Sequence, residues 1–126
     1  MSSTKTAIVV LSDPRGGEEG LGRLFNALAA AYDFKQQHQE VQLTFQGTGT
    51  RWAGLLTNPA HPAHALYKAV EDKVAGVSAG CAALFGARDG AERNAFSLIT
   101  TNAVPGTLGL PSLADYAADG YTILTF

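Results

Sequence analysis

A single cysteine, Cys81, stands just past Gly76-Val77-Ser78-Ala79-Gly80, where a short apolar run breaks at a glycine and continues with helical character as Ala82-Ala83-Leu84. A thiol at a strand-to-helix corner faces the unpaired N–H groups of that helix, which favour thiolate over thiol. In that role Cys81 is a nucleophile. Cysteine is also among the most buried residue types and packs as a small hydrophobe. The local sequence leaves both roles open. His61 and His64 lie three residues apart and have the spacing to share a metal ion, but a structural zinc site takes four ligands and a catalytic one usually three. No cysteine or carboxylate close by in sequence completes such a set. No metal site is expected, and the pair reads as solvent-facing or interfacial. A Cys–His couple would require the fold to bring one of these imidazoles to Cys81.

Two further corners are rich in glycine and hydroxyl groups: Asp13-Pro14-Arg15-Gly16-Gly17 and Gly47-Thr48-Gly49-Thr50. Open α/β sheets bind ligands outside the carboxyl ends of their strands. The expected binding residues are therefore Asp13, Arg15, Gly16 and Gly17 from the first corner, Gly47, Thr48 and Gly49 from the second, and Ser78 and Gly80 beside Cys81. Arg15 and nearby backbone N–H groups would hold an anion near the thiol. Glycines also punctuate strand-to-helix turns that have no function, and the sequence does not separate the two cases. Nucleotide signatures are missing. Gly17 to Gly22 has its glycines in the wrong order for G-x-G-x-x-G, Trp52 takes the third glycine's place after Gly47 and Gly49, and no G-K-[ST] occurs. No cofactor is expected. The remaining alternative is a flavodoxin-like flavin site using Thr48, Thr50 and Trp52.

The elements that must position these groups follow from hydrophobic period. Ala7 to Leu11 is a continuous apolar run, expected of a strand buried on both faces of a parallel sheet. Leu21, Leu24, Phe25, Leu28 and Tyr32 recur at helical spacing and predict a helix over about residues 18 to 36. Val41, Leu43 and Phe45 alternate with polar residues as a second strand. A short helical segment is expected over Arg51 to Leu56. A helix opened by Pro62 would then place Leu66, Val70 and Val74 on one face. Gly76 to Ala79 reads as a third strand and Ala82 to Ala87 as helix. Arg88-Asp89-Gly90 reads as a turn, Phe96 to Thr101 as a fourth strand and Asn102 to Gly109 as a loop. A helix started by Pro111-Ser112 and stopped by Gly120 precedes a final strand over Tyr121 to Phe126. This alternation implies an α/β fold with a largely parallel sheet.

The chain has 126 residues, 46% of them apolar and 16% charged, which suits one folded domain over residues 1–126. A net charge of −2 with scattered Lys and Arg gives no footprint for nucleic acid. No run approaches a membrane span, no signal peptide is read, and one cysteine forms no internal disulfide. A cytoplasmic protein is expected. Leu55, Leu56, Trp52 and Phe126 are candidates for contacts in a homo-oligomer, and Trp52 reads as either a core residue or such a contact.

Taken in order, Ala7 to Leu11, the helix after Gly16-Gly17, the strand ending Phe45-Gln46-Gly47-Thr48-Gly49, the run Val77-Ser78-Ala79-Gly80-Cys81 and the close from Leu113 to Phe126 resemble the DsrE/DsrF-like family of small α/β proteins. The resemblance implies a three-layer α/β/α sandwich around a mostly parallel five-stranded sheet, assembled into trimers or hexamers. It also implies that Cys81 accepts and passes on sulfane sulfur as a persulfide, between sulfur donor and acceptor proteins. A single thiol suits such a carrier, because no second cysteine traps it as an internal disulfide. The Ala-rich segment after Cys81 and the long Asn102 to Gly109 loop depart from the sulfur-relay members. The competing reading is a non-catalytic oligomeric module that binds a small anion or nucleotide at the strand ends, with Cys81 simply packed.

Overall fold

The computed structural model describes residues 4–126. Five strands form one all-parallel sheet: β1 (Lys5–Val10), β2 (Glu40–Phe45), β3 (Val74–Ser78), β4 (Leu98–Ile99) and β5 (Thr122–Thr125). Their order across the sheet is β4-β3-β2-β1-β5. Five helices connect them: α1 (Gly17–Gln36), α2 (His64–Val70), α3 (Ala79–Leu84), α4 (Arg88–Arg93) and α5 (Leu113–Ala118). A 3₁₀ turn over Gly47–Gly54 follows β2.

The strand order fixes which face each helix covers. From β1 to β4 the chain steps one strand at a time in one direction, then crosses back to place β5 beside β1. Right-handed crossovers put connections of opposite direction on opposite faces, so α1 to α4 form one layer and α5 the other. The side chains agree. Ile8, Val10, Leu43, Phe45 and Val77 share one core with Leu24 and Leu28 of α1, Trp52 of the 3₁₀ turn and Ala82 of α3. On the alternate face of β2, Gln42 accepts a hydrogen bond at 2.8 Å from the Tyr116 hydroxyl of α5. The sandwich has three layers of unequal weight, since α5 has no fully buried residue.

Several sequence expectations are corrected. Arg88-Asp89-Gly90 opens helix α4, braced by an Arg88–Glu92 ion pair, and is not a turn. Gly90 serves a close crossing instead: a Cβ there would stand 3.0 Å from the Gly54 Cα. The helix opened by Pro62 ends at Val70, and Val74 begins β3. Strand β4 has only two residues. In α1 the buried stripe runs through Leu24, Ala27, Leu28 and Ala31, which leaves Tyr32 at the surface. Trp52, which suited either the core or a subunit contact, belongs to the core, and Leu56, a candidate subunit contact, is fully buried too.

Candidate functional site

The sheet topology creates a crevice at one place. β3 exits into α3 on the thick face, whereas β4 exits through residues 100–112 towards α5 on the thin face. Where neighbouring exits diverge, the carboxyl edge of an open sheet is left uncovered, and this switch point is where such folds bind ligands. Cys81, the third residue of α3, stands there.

The corner that holds it is built locally. Ser78, fully buried, has extended backbone and caps α3, its Oγ accepting from the Cys81 N–H at 3.2 Å. The Gly80 N–H donates to the Gly109 carbonyl at 2.7 Å. Two of the helix N-terminal N–H groups expected to face an anion are thus used within the chain. Gly80 is required by space, because a Cβ would meet Leu110 Cδ1 at 2.9 Å and the Gly109 carbonyl oxygen at 3.1 Å. The opposing loop is tied to itself: Asn102 and Leu110 exchange backbone hydrogen bonds at 2.7 and 2.9 Å, and the Thr107 hydroxyl donates to the Val104 carbonyl at 2.8 Å. Between α3 and this loop lies an open, mostly apolar cavity of about 600 Å³, lined by Cys81, Leu84, Val104, Leu108 and Leu110 among others. Cys81 is half-buried at its wall. Leu84 and Leu108 at the rim are 76% and 53% exposed, so the mouth is greasy. The loop's long spacing, visible in the sequence, was the only signal for these lining residues.

Ser78→Ala removes the buried cap and leaves the Cys81 N–H without that acceptor. The expected cost is about 1–2 kcal/mol of stability, read as a lower urea midpoint at unchanged slope. An unchanged midpoint would mean the cap is dispensable.

The other predicted binding residues lie on the same sheet edge but not in this cavity. Asp13 Oδ2 pairs with Arg51 Nη1 at 2.7 Å, and its Oδ1 accepts from the Arg15 N–H at 2.9 Å. The Gly16 N–H donates to the Asp13 carbonyl, and Gly17 turns the chain with a φ of 64°. Gly47, Thr48 and Gly49 shape a tight corner. Gly47 has a φ of 57°, Thr48 Oγ1 donates to the Leu11 carbonyl, and any Cβ on Gly49 would run into the Val10 carbonyl oxygen. Thr50 donates to the Gly47 carbonyl, and Trp52 lies in the core with Nε1 donating to the Ser12 carbonyl at 2.9 Å. The hydroxyls and indole considered for a flavin are therefore engaged with backbone.

His61 and His64 are half-buried. His61 packs edge-on against Trp52 at 5.9 Å with Nδ1 taking the Ala63 N–H, and His64 Nδ1 is 2.8 Å from the Leu56 carbonyl. Among the described residues no group of three or more His, Cys, Asp or Glu is placed to hold a metal ion. Burial, with neighbouring His64 second, holds the His61 imidazole below its ordinary pKa. The unfolded chain binds that proton more readily, so this contribution to stability is present above the ordinary histidine value of about 6.5 and is lost as pH falls below it. His61→Gln is expected to make denaturation midpoints depend less on pH across that range; an unchanged slope would contradict this.

Fold and site together define a small open-sheet α/β protein with one thiol at the topological switch point. The chain belongs to the DsrE/DsrF-like family, whose match covers residues 4–126, and that family is associated with sulfur relay. No curated protein and no solved structure matches the chain. Among the described residues no helix is long and apolar enough to cross a membrane.

Proposed function

We propose that the protein is a sulfur carrier in which Cys81 accepts and passes on sulfane sulfur as a persulfide. The observation that carries this reading is the half-buried thiol at the wall of an open cavity at the switch point, a position a purely structural cysteine does not need. In loading, the Cys81 thiolate attacks the outer sulfur of a donor persulfide. A new S–S bond forms on Cys81 as the donor's S–S bond breaks. The donor leaves as thiolate and takes up a proton equivalent to the one Cys81 released. Delivery is the same displacement, with an acceptor thiolate attacking the terminal sulfur and Cys81 as leaving group. The cavity gives the extra sulfur room and limits its contact with water.

The carrier works as a homo-oligomer, a trimer or hexamer, in the cytoplasm. Support for assembly comes from the exposed Leu84 and Leu108 and from the thin layer around α5. Support for a reducing compartment comes from the lone unpaired thiol. The test is the intact mass of the native protein after incubation with a sulfane-sulfur donor. A gain of one sulfur atom, removed by reductant, is expected. No adduct, with Cys81 alkylated only after unfolding, would overturn the reading.

A further inference from the structure

The nine Lys and Arg of the chain are not equally satisfied. Six form ion pairs: Arg23 with Glu19, Lys35 and Lys73 with Asp72, Arg51 with Asp13, Lys68 with Glu71, and Arg88 with Glu92. Lys5 lies 5.6 Å over the Tyr121 ring and donates to the Asp119 carbonyl. That leaves Arg15 and Arg93, whose guanidinium groups have no hydrogen bond or ion pair among the described residues. They lie 78 positions apart in the chain, yet both line one pocket of about 490 Å³ at the carboxyl edge of the sheet, and Arg51 lines it too.

Arg51 is held in place. Beside its pair with Asp13, its Nε donates to the Phe85 carbonyl at 3.2 Å and its guanidinium lies 5.8 Å over the Phe85 ring. The remaining N–H donors of this fixed fork are unspent, the geometry that recognises oxyanions bidentately. Asp89 also lines the pocket. Three arginines against Asp13 and Asp89 leave a local charge of +1 on a chain whose net charge is −2. Gathering the two unpartnered arginines beside a third costs repulsion that an anionic occupant would relieve. Gly86 and Gly90 keep the wall free of side chains, while Pro14 and Leu55 make part of it apolar.

We infer that this pocket binds a phosphate- or sulfate-type oxyanion carried on a small apolar body, with Arg51 as the fixed receptor and Arg15 and Arg93 as flanking cations. The site is separate from the Cys81 cavity, with which it shares no lining residue. It therefore stands or falls independently of sulfur transfer.

Calorimetric titration of the full chain at low salt with adenosine monophosphate, inorganic phosphate and thiosulfate tests the assignment. Saturable binding is expected for at least one probe. The Arg15→Gln/Arg93→Gln double variant should weaken it roughly tenfold or more. Both residues are exposed and unpaired, so the variant should keep its circular dichroism spectrum. Arg88→Gln, on the same helix as Arg93 but outside the pocket, and Cys81→Ser should each bind as the parent does. Tightest binding of the nucleotide supports an aromatic body on the anion, and tightest binding of thiosulfate supports a sulfur oxyanion. No saturable binding of any probe, or binding retained by the double variant, overturns the site.

Discussion

A Cys81→Ser chain mixed with a sulfane-sulfur donor is expected to gain no sulfur at all, whereas the parent gains one atom that reductant removes. The expected effect is total because the sequence holds no second thiol to substitute. A serine hydroxyl at neutral pH presents almost no anion to attack a persulfide, so the nearly isosteric change removes the chemistry and leaves the shape. Folding should barely change. The Cys81 contribution to the corner is its backbone N–H on Ser78 Oγ, which serine retains, and the side chain stands half-buried at an open wall. The stability difference should stay within about 1 kcal/mol. Intact mass spectrometry reads the first outcome and urea denaturation the second. Sulfur uptake by Cys81→Ser would place any adduct elsewhere and end the carrier assignment.

Trp52→Ala is expected to be the most damaging of the substitutions considered for stability, at about 3–5 kcal/mol. The indole is 1% exposed and belongs to the central core. Its Nε1 donates to the Ser12 carbonyl just beyond β1, and its ring meets His61 edge-on. One side chain thus fastens the 3₁₀ turn after β2 to the end of β1 and to the segment leading into α2. Truncation leaves a large void and an unpaired Ser12 carbonyl together. A domain of this size has roughly 5–15 kcal/mol in total, so a large part of its stability would be lost. Trp52→Phe, which fills most of the void but cannot donate, should cost less. Chemical denaturation followed by circular dichroism measures both. A loss below about 1 kcal/mol for Trp52→Ala would contradict the packing described.

Much of the framework was legible because it is written in local periodicities. The apolar run from Ala7 to Leu11, the alternation over β2 and the helical spacing in α1 each reflect a face that must be buried, and all appear close to where they were expected, though β1 ends at Val10 and Leu11 is exposed. Ser112 starts α5 as the sequence implied, its Oγ accepting from the Asp115 N–H. Arg88-Asp89-Gly90 was misread because a glycine that permits close helix crossing looks, in one dimension, like a glycine that permits a turn. Trp52 was narrowed to core or interface and no further, because a large aromatic near a glycine corner suits either until its neighbours are known. Arg51 and Arg93 were missed as pocket residues for the same reason: they lie 42 residues apart in the numbering and meet only where α4 packs on the 3₁₀ turn.

The sequence by itself determined that Cys81 is the only thiol, that it stands where a strand breaks into a helix, and that the fold is layered α/β. These are properties of composition and of short segments, whose backbone preferences and hydrophobic spacing act over a few residues. Only the tertiary structure decided that the thiol lines a cavity. That outcome needs the strand order β4-β3-β2-β1-β5 and the return of the chain across the sheet after β4. It also needs Thr107, Gly109 and Leu110 to close against Gly80 from more than twenty positions away. Strand order is set by which apolar faces bury together across the whole chain, and no local pattern encodes it.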